Sequence, residues 1–154
     1  PTSSSAASDV YKRQVKIPND LMELPWLTPI YDDPQFLIRM VWRRYGGWWD
    51  GEYDRLLPAP RKEEALAWVE LSNGIDNIIL KALEHLDKGN LKVAAQLIET
   101  AFHADNKNDQ MHHARAKIYR EFSLKQSSSM GRNILNHASM ASAQGKRDLA
   151  QTED

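Results

Sequence analysis

The chain has 154 residues, with 20 Lys plus Arg against 21 Asp plus Glu and a formal net charge of -1. That is one ordinary domain with enough chain to bury a core, and its charge balance gives no electrostatic basis for binding nucleic acid or an anionic membrane. No apolar run nears the ~20 residues that span a bilayer, and with no cysteine neither disulfides nor thiolate metal sites can form.

Residues 1 to 14, PTSSSAASDVYKRQ, are rich in Ser and Ala but lack the apolar stretch of a signal peptide. They read as a non-native leader and are set aside from fold reasoning. From 15 to 33, Pro18, Pro25 and Pro29 interrupt Leu21, Leu24, Trp26, Leu27, Ile30 and Tyr31. Prolines at that density disfavour regular structure and leave an extended arm, lying either on a neighbouring surface or over the domain's own core. Asp33-Pro34 then supplies a helix start, with Asp as cap and Pro at the first helical position. The helix carries Phe36, Leu37, Met40, Val41 and Trp42 and ends near Tyr45, where Gly46 and Gly47 free the backbone to turn. Trp48, Trp49, Asp50 and Gly51 follow in the turn, so that residues 39 to 54 hold three of the five tryptophans and three of the seven glycines.

Beyond Pro58 and Pro60, a helix is expected from Arg61 or Lys62 to Gly74, with Ala65, Leu66, Val69 and Trp68 inward. Residues 75 to 88 place Ile75, Ile78, Ile79, Ala82, Leu83 and Leu86 at helical spacing, with Gly89 as the C-cap. Asn90 can cap the next helix, whose Leu91, Ala94, Ala95, Leu97, Ile98, Ala101 and Phe102 include small residues that permit a close crossing. After the polar run 105 to 109, Met111, Ala114, Ile118, Tyr119 and Phe122 form one stripe of a further helix. The spacing from Leu86 through Asn108 resembles a single tetratricopeptide-type hairpin. Ser127 to Ser129 cap a last helix with Met130, Ile134, Leu135, Ala138 and Ala141. Residues 143 to 154 are a polar tail or linker. No stretch alternates like a strand, so the expected fold is all-α with about five to six helices.

Catalytic chemistry finds little footing. The five histidines, His85, His103, His112, His113 and His137, do not form a metal-binding cluster in sequence and read as solvated surface residues. The pairs Asp32-Asp33 and Glu63-Glu64 sit at helix starts, where the macrodipole favours negative charge. No phosphate loop, dinucleotide fingerprint or nucleophile elbow is present. The tryptophan turn stands apart. Arg43 and Arg44 offer planar donors suited to sulfate or carboxylate, and Tyr45, Trp48 and Trp49 offer ring faces for an alkyl or aryl group. The same residues equally suit a subunit interface.

The run Trp42, Arg44, Tyr45, Gly46, Gly47, Trp48, Asp50, Gly51 resembles the signature of the dimerisation domain of alkyl sulfatases and related metallo-β-lactamase-fold hydrolases. Glu23-Leu24-Pro25-Trp26-Leu27, Leu57-Pro58-Ala59-Pro60, Ala114-Arg115-Ala116 and Ser128, Met130, Arg132 and Ile134 are similar to its surroundings. Such a domain is expected over residues 15 to 142. One departure is that Asp50-Gly51 is followed by Glu52-Tyr53-Asp54, where many relatives have Asn-Pro-Ala. The resemblance implies a homodimer, and a domain that also closes over the pocket of its own metallo-β-lactamase-type catalytic domain. That missing domain would hold two zinc ions and hydrolyse an alkyl sulfate or similar ester. This chain would carry no cofactor and no catalytic residue. A free-standing helical adaptor that binds a peptide in a groove is the competing reading.

Overall fold

Helical spacing of apolar residues becomes helix along most of the chain, and no strand forms among the described residues. The computed structural model describes residues 18–47, 49 and 52–145. Its elements are α1 (Asn19–Met22), a 3-10 turn at Pro25–Leu27, α2 (Pro34–Tyr45), a 3-10 turn at Tyr53–Arg55, α3 (Arg61–Leu71), α4 (Ile75–Asp87), α5 (Leu91–Ala104), α6 (Asp109–Leu124) and α7 (Ser129–Gln144). The leader at 1–14, Trp48, Asp50, Gly51 and the tail beyond Gly145 lie outside the described residues. The fold is all-α.

The described residues fall into two units by contact. One is drawn from Ala59–Gln126 and Arg132–Asp154, the other from Pro1–Pro58 and Ser127–Gly131. The first is a helical bundle and the second an arm.

In the bundle unit one core joins Ile78, Ile79, Ala82 and Leu86 of α4, Ala94, Ala95, Ile98, Ala101 and Phe102 of α5, and Met111, Ala114 and Ile118 of α6. Helix α5 is central and packs on α3, α4 and α6. Its alanines keep those crossings close, and each fully buried large side chain contributes about 1.5–3 kcal/mol. Gly89 follows the C-cap Lys88 with φ +75°, and Asn90 N–H reaches back to His85 O, a closure that satisfies the last carbonyls of α4. Two expectations change in detail. Asn90 stands at the start of α5, but its side chain makes no capping bond there and meets His85 instead. In α3, Ala65 is buried and Val69 half-buried, while Leu66 and Trp68 lie exposed. A short helix that packs mainly through one face has room inward for only that stripe.

In the arm unit the prolines do not abolish helical structure. They confine it to α1 and the turn at Pro25–Leu27, each a single turn. Asp33 caps α2 as expected, its Oδ1 accepting from Gln35 N–H at 2.8 Å. Ser129 N–H and Met130 N–H donate to Ile30 O and Tyr31 O, at 2.6 and 3.1 Å. Within the serine run it is Ser128 whose Oγ accepts from Gly131 N–H, capping α7.

Candidate functional site

Helix α2 is built to leave one side unpartnered. Residues three and four apart share a helix face, so Gln35, Ile38 and Trp42 form one stripe, and all are half-buried. Leu37, Met40, Val41 and Arg44 form another, and all are exposed. No residue of α2 is fully buried. Consecutive residues leave a helix about 100° apart, so Arg43 does not share the stripe of Arg44 and joins Phe36 and Arg39 instead. The helix contains three arginines and no acid, with Arg43 and Arg44 in its last turn. Positive charge is favourable at that end of the helix dipole.

Glycine ends the helix for a steric reason. A Cβ on Gly46 would lie 2.6 Å from Trp42 Cε2 and 2.9 Å from both Trp42 Cδ2 and Trp42 O. The indole therefore occupies the space that any other residue at 46 would need. Gly47 follows at φ +92°, a conformation that side chains resist. Tyr45, the last residue of α2, is 81% exposed. Further on, Trp49 Nε1 donates to Glu52 O at 3.0 Å, and its ring sits 5.8 Å from that of Tyr53, tilted by 57°. The Glu52-Tyr53-Asp54 departure thus leads into the 3-10 turn Tyr53–Arg55, whose first ring meets that of Trp49 at a tilt. Tyr53 escaped the sequence reading, since a lone tyrosine beside acids carries no periodic signal.

The structure thus sets Arg43, Arg44 and Tyr45 on one exposed helix turn, with Gly46 and Gly47 closing it and Trp49 held beyond them. Such a surface can present forked donors and ring faces.

The second polar feature lies in the bundle unit. Arg115 is 1% exposed because its position, four residues after Met111 and three before Ile118, falls on the inward stripe of α6. Its Nε donates to Glu99 Oε1 at 2.6 Å, and its Nη1 to Ser142 Oγ at 2.9 Å and Ala138 O at 3.3 Å. Its guanidinium carbon lies 4.3 Å from the Phe102 ring centre and 5.2 Å from that of Tyr119. These contacts compensate a charge that burial alone would penalise heavily.

His112 belongs to the same network and corrects the reading of solvated histidines. Asn106 O can only accept, so His112 Nε2 donates to it at 2.8 Å, leaving Nδ1 to accept from Ser142 Oγ at 3.1 Å. His113 Nδ1 donates to Asp109 O, His103 Nε2 meets Arg61 and His85 Nδ1 meets Asn90. Among the described residues no three His, Cys, Asp or Glu side chains come together to hold a metal. The residues do not fit zinc.

With that geometry in view, comparison with known proteins is decisive. The alkyl sulfatase dimerisation family matches residues 8–145. This chain belongs to the alkyl sulfatase dimerisation family. A linear primary-alkylsulfatase of Pseudomonas sp. is 27% identical over 113 residues, which are 73% of this chain and 21% of that protein. The alkyl/aryl-sulfatase BDS1 of Saccharomyces cerevisiae is 26% identical over 132 residues, 85% of this chain and 20% of the relative. A solved structure of a double mutant of the sec-alkyl sulfatase PisA1 superimposes with a TM-score of 0.79 at 25% identity, covering 89% of this chain and 22% of that one. The chain therefore spans about a fifth of the length of the relatives it matches. No helix among the described residues is long and apolar enough to cross a membrane.

Proposed function

We propose that this alkyl sulfatase dimerisation domain holds two copies of a longer sulfuric-ester hydrolase together and closes over its catalytic pocket. The observation that carries the reading is the coreless arm unit. Neither α2 nor either 3-10 turn contains a buried residue, and Leu37, Met40, Val41 and Tyr45 of α2 stand exposed beside Arg44. Apolar surface of that extent is completed by another surface. Family membership favours this reading over a free-standing adaptor.

The longer protein would supply the metallo-β-lactamase-type domain with its two zinc ions, and the substrate would be an alkyl sulfate or similar ester. The present residues would contribute shape, ring surface and anion-binding donors. Arg44 and Tyr45 would stand at the mouth of the pocket, because they end a helix just before two glycines that let backbone approach another domain closely.

Replacing Arg44 by Ala in the intact enzyme tests the pocket role. A charge-assisted forked contact contributes about 1.5–3 kcal/mol, so kcat/KM should fall roughly 10- to 100-fold. Arg44→Lys should recover little, since lysine keeps the charge but not the fork. Sedimentation run beside the kinetics separates the two duties. Unchanged efficiency per intact dimer, or a loss explained wholly by dissociation, would remove Arg44 from the pocket.

A further inference from the structure

Asn73 and Gly74 lie in the turn between α3 and α4, and of the eight asparagines in the chain only Asn73 precedes a glycine. The backbone nitrogen of the next residue can attack an asparagine amide, and a Cβ on that residue crowds the approach. Gly74 removes this obstacle, and the space beside it is open, since a Cβ built there would meet nothing within 4 Å. Asn73 is exposed, and its amide takes no hydrogen bond among the described residues. Asn77, Asn90, Asn108 and Asn136 all commit their amides to partners. At φ +57° Asn73 occupies the left-handed region, which asparagine and aspartate both tolerate.

We propose that Asn73 is a site of self-modification, losing ammonia to become aspartate or isoaspartate. Gly74 N attacks Asn73 Cγ, so that an N–Cγ bond forms, the Cγ–Nδ2 bond breaks and the proton of Gly74 N–H leaves with ammonia. Solvent water then opens the resulting imide ring. Opening at the side-chain carbonyl gives aspartate, and opening at the main-chain carbonyl gives isoaspartate. No reactant beyond water is required. The fold sets the pace. Gly74 N–H donates to Val69 O at 2.9 Å and Asn73 N–H to Glu70 O at 3.1 Å, while Asn77 Nδ2 donates to Ser72 O at 2.8 Å and to Asn73 O at 3.3 Å. The attacking nitrogen is tied down in the closed turn, and it reacts when this helix end frays, an opening of low cost. The two products then part. Aspartate keeps the left-handed turn, with a new carboxylate between α3 and α4. Isoaspartate lengthens the main chain between Val69 and Gly74 by a methylene and undoes the hydrogen bond that closes the turn.

Incubating the 154-residue chain in warm, mildly alkaline buffer and mapping its peptides by mass spectrometry tests the proposal. Aspartate and isoaspartate should accumulate at Asn73 ahead of Asn90 and Asn106, which are also exposed but precede Leu91 and Lys107. Asn77→Ala withdraws a clamp from the turn at an exposed helix position. It should speed the conversion roughly 2- to 10-fold, the worth of a lost hydrogen bond, with Tm near the parent's. Conversion at Asn73 no faster than at Asn90 overturns the proposal. So does conversion that appears only in urea, because the native turn then shields the amide completely. An unchanged rate in Asn77→Ala shows that fraying of this turn is not the gate, and the proposal fails with it.

Discussion

In the bundle unit Ile98, Met111 and Ile118 have no solvent-exposed surface, while in the arm unit Leu37, Met40 and Val41, of similar size and polarity, stand in water. Those two sets of side chains differ little in how apolar they are. The two units differ in whether successive helices return to cover one another. Helices α4, α5 and α6 are joined by short turns, so each stripe folds back on the last. Helix α2 is bracketed by a proline-rich arm and a glycine turn, which give it no consecutive helical neighbour. One apolar pattern thus yields a self-sufficient core in one place and an exposed apolar face in the other.

Removing the buried cation should sharpen that contrast most. Arg115→Ala would strand Glu99 and withdraw packing from Phe102 and Tyr119, lowering stability by about 3–5 kcal/mol in urea unfolding. Next comes the same substitution made in both units. Met111→Ala, at 0% exposure, should cost roughly 2–5 kcal/mol, whereas Met40→Ala, at 60%, should change the isolated chain by less than about 0.5 kcal/mol. Equal costs would break the comparison. Loss of a single cap is smaller, and Ser128→Ala should lower stability by about 1 kcal/mol.

The smallest effect concerns Glu84. Its hydrogen bond from Lys81, supported by the positive charges of Lys81, Lys88 and His85 and opposed by partial desolvation, holds its carboxyl below the usual carboxylate range. A depressed carboxyl stabilises the folded state above its unfolded pKa, and that contribution is lost as the pH falls through the lowered value. An NMR titration should place the Glu84 midpoint below 4.5, its unperturbed value, and Lys81→Met should return it toward that value.

Much of this was legible in the residues. The stripes of α4, α5 and α6 match their helical spacing, and Asp33-Pro34 announced the start of α2, because local capping chemistry and periodicity act over a few residues. What periodicity could not assign was which apolar residues the tertiary fold would cover. Leu66 and Trp68 share a helix with Ala65 and Val69, yet only the latter pair finds a neighbour. Arg115 is a parallel case. Its place between Met111 and Ile118 put a cation on an inward stripe, and only the partners Glu99 and Ser142, 16 and 27 residues away, make that position tenable. The glycines after Tyr45 signalled a turn, but that the indole of Trp42 fills the space beside Gly46 follows only from the folded backbone.

The two hydrogen bonds that tie Ile30 and Tyr31 to the start of α7 also set an order of events as the chain is made. Their partners lie about a hundred residues apart, so the loop between them must close late and at entropic cost. On a ribosome adding roughly 5–20 residues per second, the arm emerges and waits on the order of 5–20 s before residues 129 and 130 exist to receive it. Meanwhile α3 through α6 can be completed from contacts closer in sequence. The tie between Ile30, Tyr31 and the start of α7 is therefore among the last contacts to form.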